Sequence, residues 1–233
     1  MRRLHPLSPN ERFVASGEHA AQHGGVVERW SVHEQMGGAL LIRMDRDSRP
    51  VDGRSLLAEM WCSAEGSAER LSLRAYGGPQ DAFRLARVDA AIFAGSAEVG
   101  YSVDEKPRQD VVLPLSHPAA VCPDGTVFGG LAIRWAVQIE RRTVLVVHAT
   151  YNDPCPFCAA ALTVSDLPGH IETGSIVVDG RAVSGQRWRW PGAAGFEGDW
   201  WLDAHGAVLR YVRPDGSAQT LARYARRVEP IER

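Results

Sequence analysis

The sequence predicts a mainly β protein built on a single antiparallel sheet that curls over itself. Three observations lead there. Apolar and polar residues alternate with period two through most of the 233 residues, the mark of half-buried strands. The intervening segments are short and rich in Gly, Pro, Asp and Ser, as hairpins require. Nothing recurs like a strand–helix–strand unit, so a parallel sheet is not expected. Roughly ten strands in one series exceed what a flat sheet can accommodate, and the sheet must bend to cover its apolar face.

Residues 1–16 read as an N-terminal extension holding a short helix. Ser8 can cap the first amides, Pro9 suits the first helical position, Glu11 completes a capping box, and Gly17 closes the segment. The period then changes to two. Val26, Trp30 and Val32 share one face of a strand, and the alternation puts Glu28 on it as well. Met36-Gly37-Gly38 makes a turn, after which Leu40, Ile42 and Met44 line one face, with Arg43 and Asp45 opposite. Leu56, Ala58, Met60 and Cys62 follow, Ser63-Ala64-Glu65-Gly66 turns the chain, and Leu71, Leu73 and Ala75 answer. Further strands are expected at 83–93, 97–103, 111–115, 144–151, 169–178, 186–190, 199–202, 207–212 and 218–224. The longest irregular stretch, 117–130, is too apolar for a flexible linker, so residues 1–233 are expected to form one domain.

Residues 127–139 carry two periods at once. Leu131, Ile133, Trp135, Val137 and Ile139 alternate with Ala132, Arg134, Ala136 and Gln138, as in a strand. Val127, Leu131, Trp135 and Ile139 also recur at helical spacing, behind a possible cap at Asp124. Periodicity leaves both readings open.

Composition removes several function classes. Lys and Arg total 26 against 28 Asp and Glu, for a net charge of −2, and the basic residues are dispersed. A nucleic-acid partner is not expected, because it needs a basic face to displace counterions from phosphates. No apolar run approaches the ~20 residues of a membrane span, and the basic start lacks the apolar stretch of a secretory signal. With only four cysteines there is no disulfide framework, and a cytoplasmic location is expected. Phosphate-loop, H-E-x-x-H and G-x-S-x-G patterns are missing. No cofactor or metal is expected.

Three features could carry chemistry. Cys155-Pro156-Phe157-Cys158 reads first as a proline-stiffened loop. The same spacing also suits a redox dithiol or half of a zinc site. Residues 159–164 allow a turn of helix behind it, and Cys122, His148 or His170 would have to complete a metal site. Glu28, between Val26 and Trp30 on an apolar face, needs a partner or a raised pKa, unless a bulge turns it to solvent. It could act as a general acid or base, or anchor a polar ligand group. Seven tryptophans, among them Trp188, Trp190, Trp200 and Trp201, serve either as core or as the wall of an apolar pocket.

The stretch Asp199-Trp200-Trp201-Leu202-Asp203-Ala204-His205-Gly206-Ala207-Val208-Leu209-Arg210-Tyr211 resembles the closing hairpin of the lipoprotein-carrier (LolA-like) half-barrel superfamily. Gly25–Asp45, with its Glu-Arg-Trp-x-Val strand and Gly-Gly turn, is similar to the opening hairpin of uncharacterised relatives, and the likeness loosely spans residues 15–225. It implies a strongly curved sheet, a half-barrel, with one or two short helices plugging its opening, and it favours the helix at 127–139. Members bind lipids or acylated proteins, some are suspected glycolipid binders, and one is an enzyme of violacein pigment assembly. The expectation is a binding protein holding a small apolar or amphiphilic ligand against Glu28, Trp30, Met60, Trp135 and Trp188. The alternatives are an enzyme acting on a hydrophobic metabolite in the same cavity, or a dithiol redox protein working through Cys155 and Cys158.

Overall fold

The computed structural model describes residues 8–22, 24–77, 85–115, 119–138, 143–149, 157–163, 166–191 and 196–227. The first meander runs through β1 (Glu11–Ala21), β2 (Val27–Gln35), β3 (Leu40–Asp47), β4 (Ser55–Cys62), β5 (Ala68–Tyr76), β6 (Leu85–Ile92), β7 (Ser96–Val103) and β8 (Gln109–Pro114). A second meander comprises β12 (Gly169–Val178), β13 (Arg181–Trp190), β14 (Gly198–Leu202), β15 (Val208–Val212) and β16 (Ala218–Arg226). The last strand pairs antiparallel with the first, Ala15 opposite Arg226 and Ala21 opposite Gln219. The two meanders thereby join into one 13-stranded antiparallel sheet with β12 and β8 at its ends.

Alternation assigns the faces, because cross-strand partners point to the same side. Trp30, Met44, Ala58, Leu73 and Val88 are successive partners across β2–β6 and are all buried. The expected apolar set of β4 and β5 meets residue for residue, Leu56 with Ala75, Ala58 with Leu73 and Met60 with Leu71. The other face carries the row Ser31, Arg43, Glu59, Ser72 and Asp89. There Arg43 holds Glu11 at 2.9 Å and Glu59 at 3.0 Å.

Between the two end strands the described residues form a second layer. β9 (Ala119–Pro123), α2 (Thr126–Gln138) and β10 (Thr143–Ala149) make a crossover unit with β9 and β10 parallel, and β11 (Phe157–Thr163) adds an antiparallel strand. One strand–helix–strand unit therefore exists where none was expected. Parallel neighbours need a connection of a dozen or more residues, and α2 supplies it. β9 lies against β5, β11 against β8 and α2 against β15. Val144, Leu145, Val146 and Val147 in β10 are all buried, as a strand covered on both faces requires.

The ambiguous stretch is helical. Nine residues of α2 are buried, from Thr126 to Ala136, which a helix sandwiched between strands demands. Gly129 and Gly130 let it approach closely. A Cβ on Gly129 would lie 2.2 Å from the Trp200 ring, and one on Gly130 would lie 2.6 Å from Val208.

Two other segments depart from expectation. Residues 11–16, read as part of a helical extension, begin β1 instead. The capping signal closes only a turn: the Ser8 amide donates to Glu11 Oε2 at 3.4 Å and the Glu11 amide to the Ser8 carbonyl at 2.9 Å. Beyond it Ala15, Gly17 and His19 alternate as buried positions. Ladders to β2 and β16 on either side outweigh the marginal stability of so short a helix. Residues 159–163 lie in strand β11 rather than a turn of helix, held in register by Val144–Val147. A four-residue helix, α1 (Arg49–Asp52), joins β3 to β4 and ends at Gly53 with φ 74°; no sequence signal was assigned to it. Among the described residues no helix is long and apolar enough to cross a membrane.

Candidate functional site

Among the described residues, a charged row crosses the apolar face. His19 in β1, Glu28 in β2 and Arg46 in β3 are direct cross-strand partners, one step along the strands from the Trp30–Met44 row. The same alternation that buries Trp30 therefore buries Glu28, which is 1 % exposed. The Glu28 carboxylate meets the start of α2. Its Oε2 accepts the Thr126 amide at 3.0 Å and its Oε1 accepts the Val127 amide at 3.1 Å. Arg46 donates to Oε2 through Nη2 at 3.2 Å and Nε at 3.4 Å. Its Nη1 donates to Asp124 Oδ1 at 2.9 Å.

The helix is thus capped from another element. The residue before Thr126 is Gly125, whose φ of 156° favours glycine and which has no side chain to satisfy the first amides. A carboxylate from β2 takes that role, and the helix dipole favours a negative charge there. Asp124, the expected cap, pairs with Arg46 instead. Thr126 Oγ1 donates to Gln219 Oε1 of β16, which ties the same turn to a further strand.

Burial alone would push the Glu28 carboxyl upward. His19, the Arg46 charge and the Thr126 amide outweigh it and hold the group down at about 2. Glu28 is therefore held as an anion, with each of its oxygens accepting one of the first backbone amides of α2. Behind it His19 Nε2 lies 2.7 Å from the Val208 carbonyl, and Nδ1 lies 3.6 Å from Glu28 Oε1. Trp30 stacks on His19 with ring centroids 6.1 Å apart and tilts against Tyr224 at the same separation.

The five residues read as a pocket wall come from four elements; Trp30, Met60 and Trp135 belong to the hydrophobic core, and Trp188 packs against it. Glu28 and Trp30 are neighbours on the apolar face of β2, and Met60 lies on that face of β4. Trp135 sits in the third turn of α2, its Nε1 3.6 Å from where Gly66 would carry a Cβ. Glu28, Trp30, Met60 and Trp135 are buried. Trp188, near one end of the sheet, is half-buried and packs edge-on against His170 at 5.3 Å. Of the clasp residues that sequence reading missed, Arg46 was within reach: Leu40, Ile42, Met44 and Arg46 continue one alternation. His19 lies between Gly17 and the first expected strand, in a stretch given no strand of its own.

Cys155 and the side chain of Cys158 lie outside the described residues, as does the side chain of His148. Among the described residues no three His, Cys, Asp or Glu side chains form a metal-binding group. Cys62 and Cys122 are buried free thiols. Burial, with Glu69 nearby, pushes the Cys62 thiol up to about 12. Burial beside Asp124 pushes Cys122 well above the ordinary thiol range. Since the thiolate is the reactive form, neither should be alkylated by iodoacetamide in native protein at neutral pH, and both should react after denaturation. Peptide mapping of the labelled protein checks this. No protein-family model matches the chain, and no curated protein matches it.

Proposed function

We propose that this chain is a binding protein that holds a small apolar or amphiphilic molecule between the apolar face of its large sheet and the covering layer of β9–β11 and α2. The observation that carries this reading is the separate cover: the sheet's apolar face is closed by a distinct crossover segment, and α2 is clasped to it by charge at its first turn. A sheet that needed only a core could have been closed by apolar contact alone. A charged clasp in an apolar interior gives the cover a defined closed position.

The reading includes a sheet bent into a half-barrel. In its support, β12 comes within 8 Å of β16, Cα to Cα, although four strand spacings of about 4.8 Å would separate them by about 19 Å in a flat sheet. The likeness of the 199–211 hairpin to lipoprotein-carrier half-barrels points the same way. The half-buried Trp188 beside His170 is where a ligand would first meet the lining.

Native mass spectrometry of gently purified protein tests the proposal. The expected spectrum contains a heavier species that loses its added mass on denaturation and is restored by adding a long-chain fatty acid or alcohol. A bare mass throughout, with no uptake of either probe, would overturn it.

A further inference from the structure

We infer that Arg74 and Arg87 form a binding site for a phosphate dianion on the solvent face of the large sheet. Arg74 in β5 and Arg87 in β6 are direct cross-strand partners, and both are exposed. Their neighbours Leu73, Ala75, Ala86 and Val88 are buried on the apolar face, so alternation turns both arginines the other way. Like charges placed directly opposite each other destabilise an antiparallel pair. The rest of the sheet avoids this. Where Arg, Asp or Glu residues are direct partners in its other ladders the signs are opposite, as in Arg12 with Glu34, Arg43 with Glu59 and Arg189 with Asp199. Among the described residues, Arg74 with Arg87 is the exception.

Among the described residues neither arginine forms an ion pair or donates a side-chain hydrogen bond. The nearest acids are displaced or engaged. Asp89 stands one row along β6, opposite Ser72, and its charge favours the Arg108 cation. Asp104 Oδ1 accepts the Leu85 amide at 2.9 Å. On β4 the partner of Arg74 is Leu57, which separates it from Asp45. On β7 the partner of Arg87 is Ser102, half-buried on the same face. Two guanidiniums and a hydroxyl are thus consecutive in one row. A local rule broken without a compensating contact is where function is expected. The charges set the class of ligand. A carboxylate carries one charge, and a single guanidinium can take both its oxygens. A dianionic phosphoryl group carries two charges and three terminal oxygens, enough to meet both planar forks and the Ser102 hydroxyl at once.

Titration of the unmodified protein with inorganic phosphate at constant ionic strength and about pH 8, where the dianion dominates, tests this by calorimetry. Saturable binding is expected, weakened about tenfold by Arg74→Gln or by Arg87→Gln. Without phosphate the same variants should melt about 1–2 °C higher than the unmodified protein, because each removes the repulsion. Arg70→Gln, on the same face but opposite Ala91, should change neither property. Acetate binding as tightly as phosphate, a response that chloride reproduces, or full affinity in the Arg74→Gln/Arg87→Gln double variant would overturn the inference. A melting temperature lowered by either single substitution would do the same. Two further probes locate the phosphoryl group. Retention on vesicles containing phosphatidic acid, and not on phosphatidylcholine alone, would place it on a lipid. Binding of glycerol phosphate without such retention would place it on a soluble molecule. The site lies on the face opposite the covering layer, so these outcomes are independent of the apolar-ligand proposal.

Discussion

Replacing Glu28 by alanine is expected to lower the unfolding free energy by about 3–5 kcal/mol, the cost of leaving buried charge without its partner. The substitution leaves Arg46 with Asp124 as its remaining acidic partner, its Nη2 and Nε having lost their acceptor, and leaves the Thr126 and Val127 amides without one. Glu28→Gln retains an acceptor oxygen and should lose less. The charged clasp also predicts an acid limb. Because the Glu28 carboxyl sits at about 2 in the folded chain against 4.5 ordinarily, its contribution is complete above the ordinary value and drains away as pH falls towards the folded one. Urea midpoints measured from neutral pH into this range should fall more steeply for the unmodified protein than for Glu28→Ala. Parallel profiles would show that Glu28 is not the anchor described.

The second large effect is expected at Trp200, where truncation to alanine should cost about 3–5 kcal/mol. Its ring stacks on Tyr211 with centroids 3.8 Å apart, its Nε1 donates to the Phe196 carbonyl at 3.0 Å, and Gly129 of α2 lies directly over it. The contact can be probed from the other side. Gly129→Ala places a methyl group against the ring and should cost about 1–3 kcal/mol by overpacking. In the Trp200→Ala background that penalty should shrink, because the new methyl then enters the space the ring has left. A double-mutant cycle by chemical denaturation measures the coupling, and strictly additive losses would show that helix and ring do not bear on each other.

Much of the large sheet was legible because its rule is local. The faces of β2, β4 and β5 follow from alternation alone, and Glu28 could be placed on the buried side before any partner was known. The turns at Met36-Gly37-Gly38 and Ser63–Gly66 were legible for the same reason, since glycine chemistry acts over a few residues. The failures share a different cause. Ser8–Glu11 is a genuine capping signal, yet it closes a turn because the following residues are claimed by ladders to β2 and β16, the latter some 200 residues away in sequence. β9 was lost in an apolar stretch with no period of its own.

By itself, then, the amino-acid order determined a mainly antiparallel β chain, the inward set of most strands, and a carboxylate placed where an apolar side chain would be expected. Only the tertiary structure decided that the last strand joins the first, that 126–138 is a crossover helix, and that this carboxylate caps that helix while paired with Arg46 and facing His19. Periodicity records which way a side chain points relative to its neighbours in sequence. What it points at is set by register and pairing between distant segments, and for a buried charge that partner settles its chemistry.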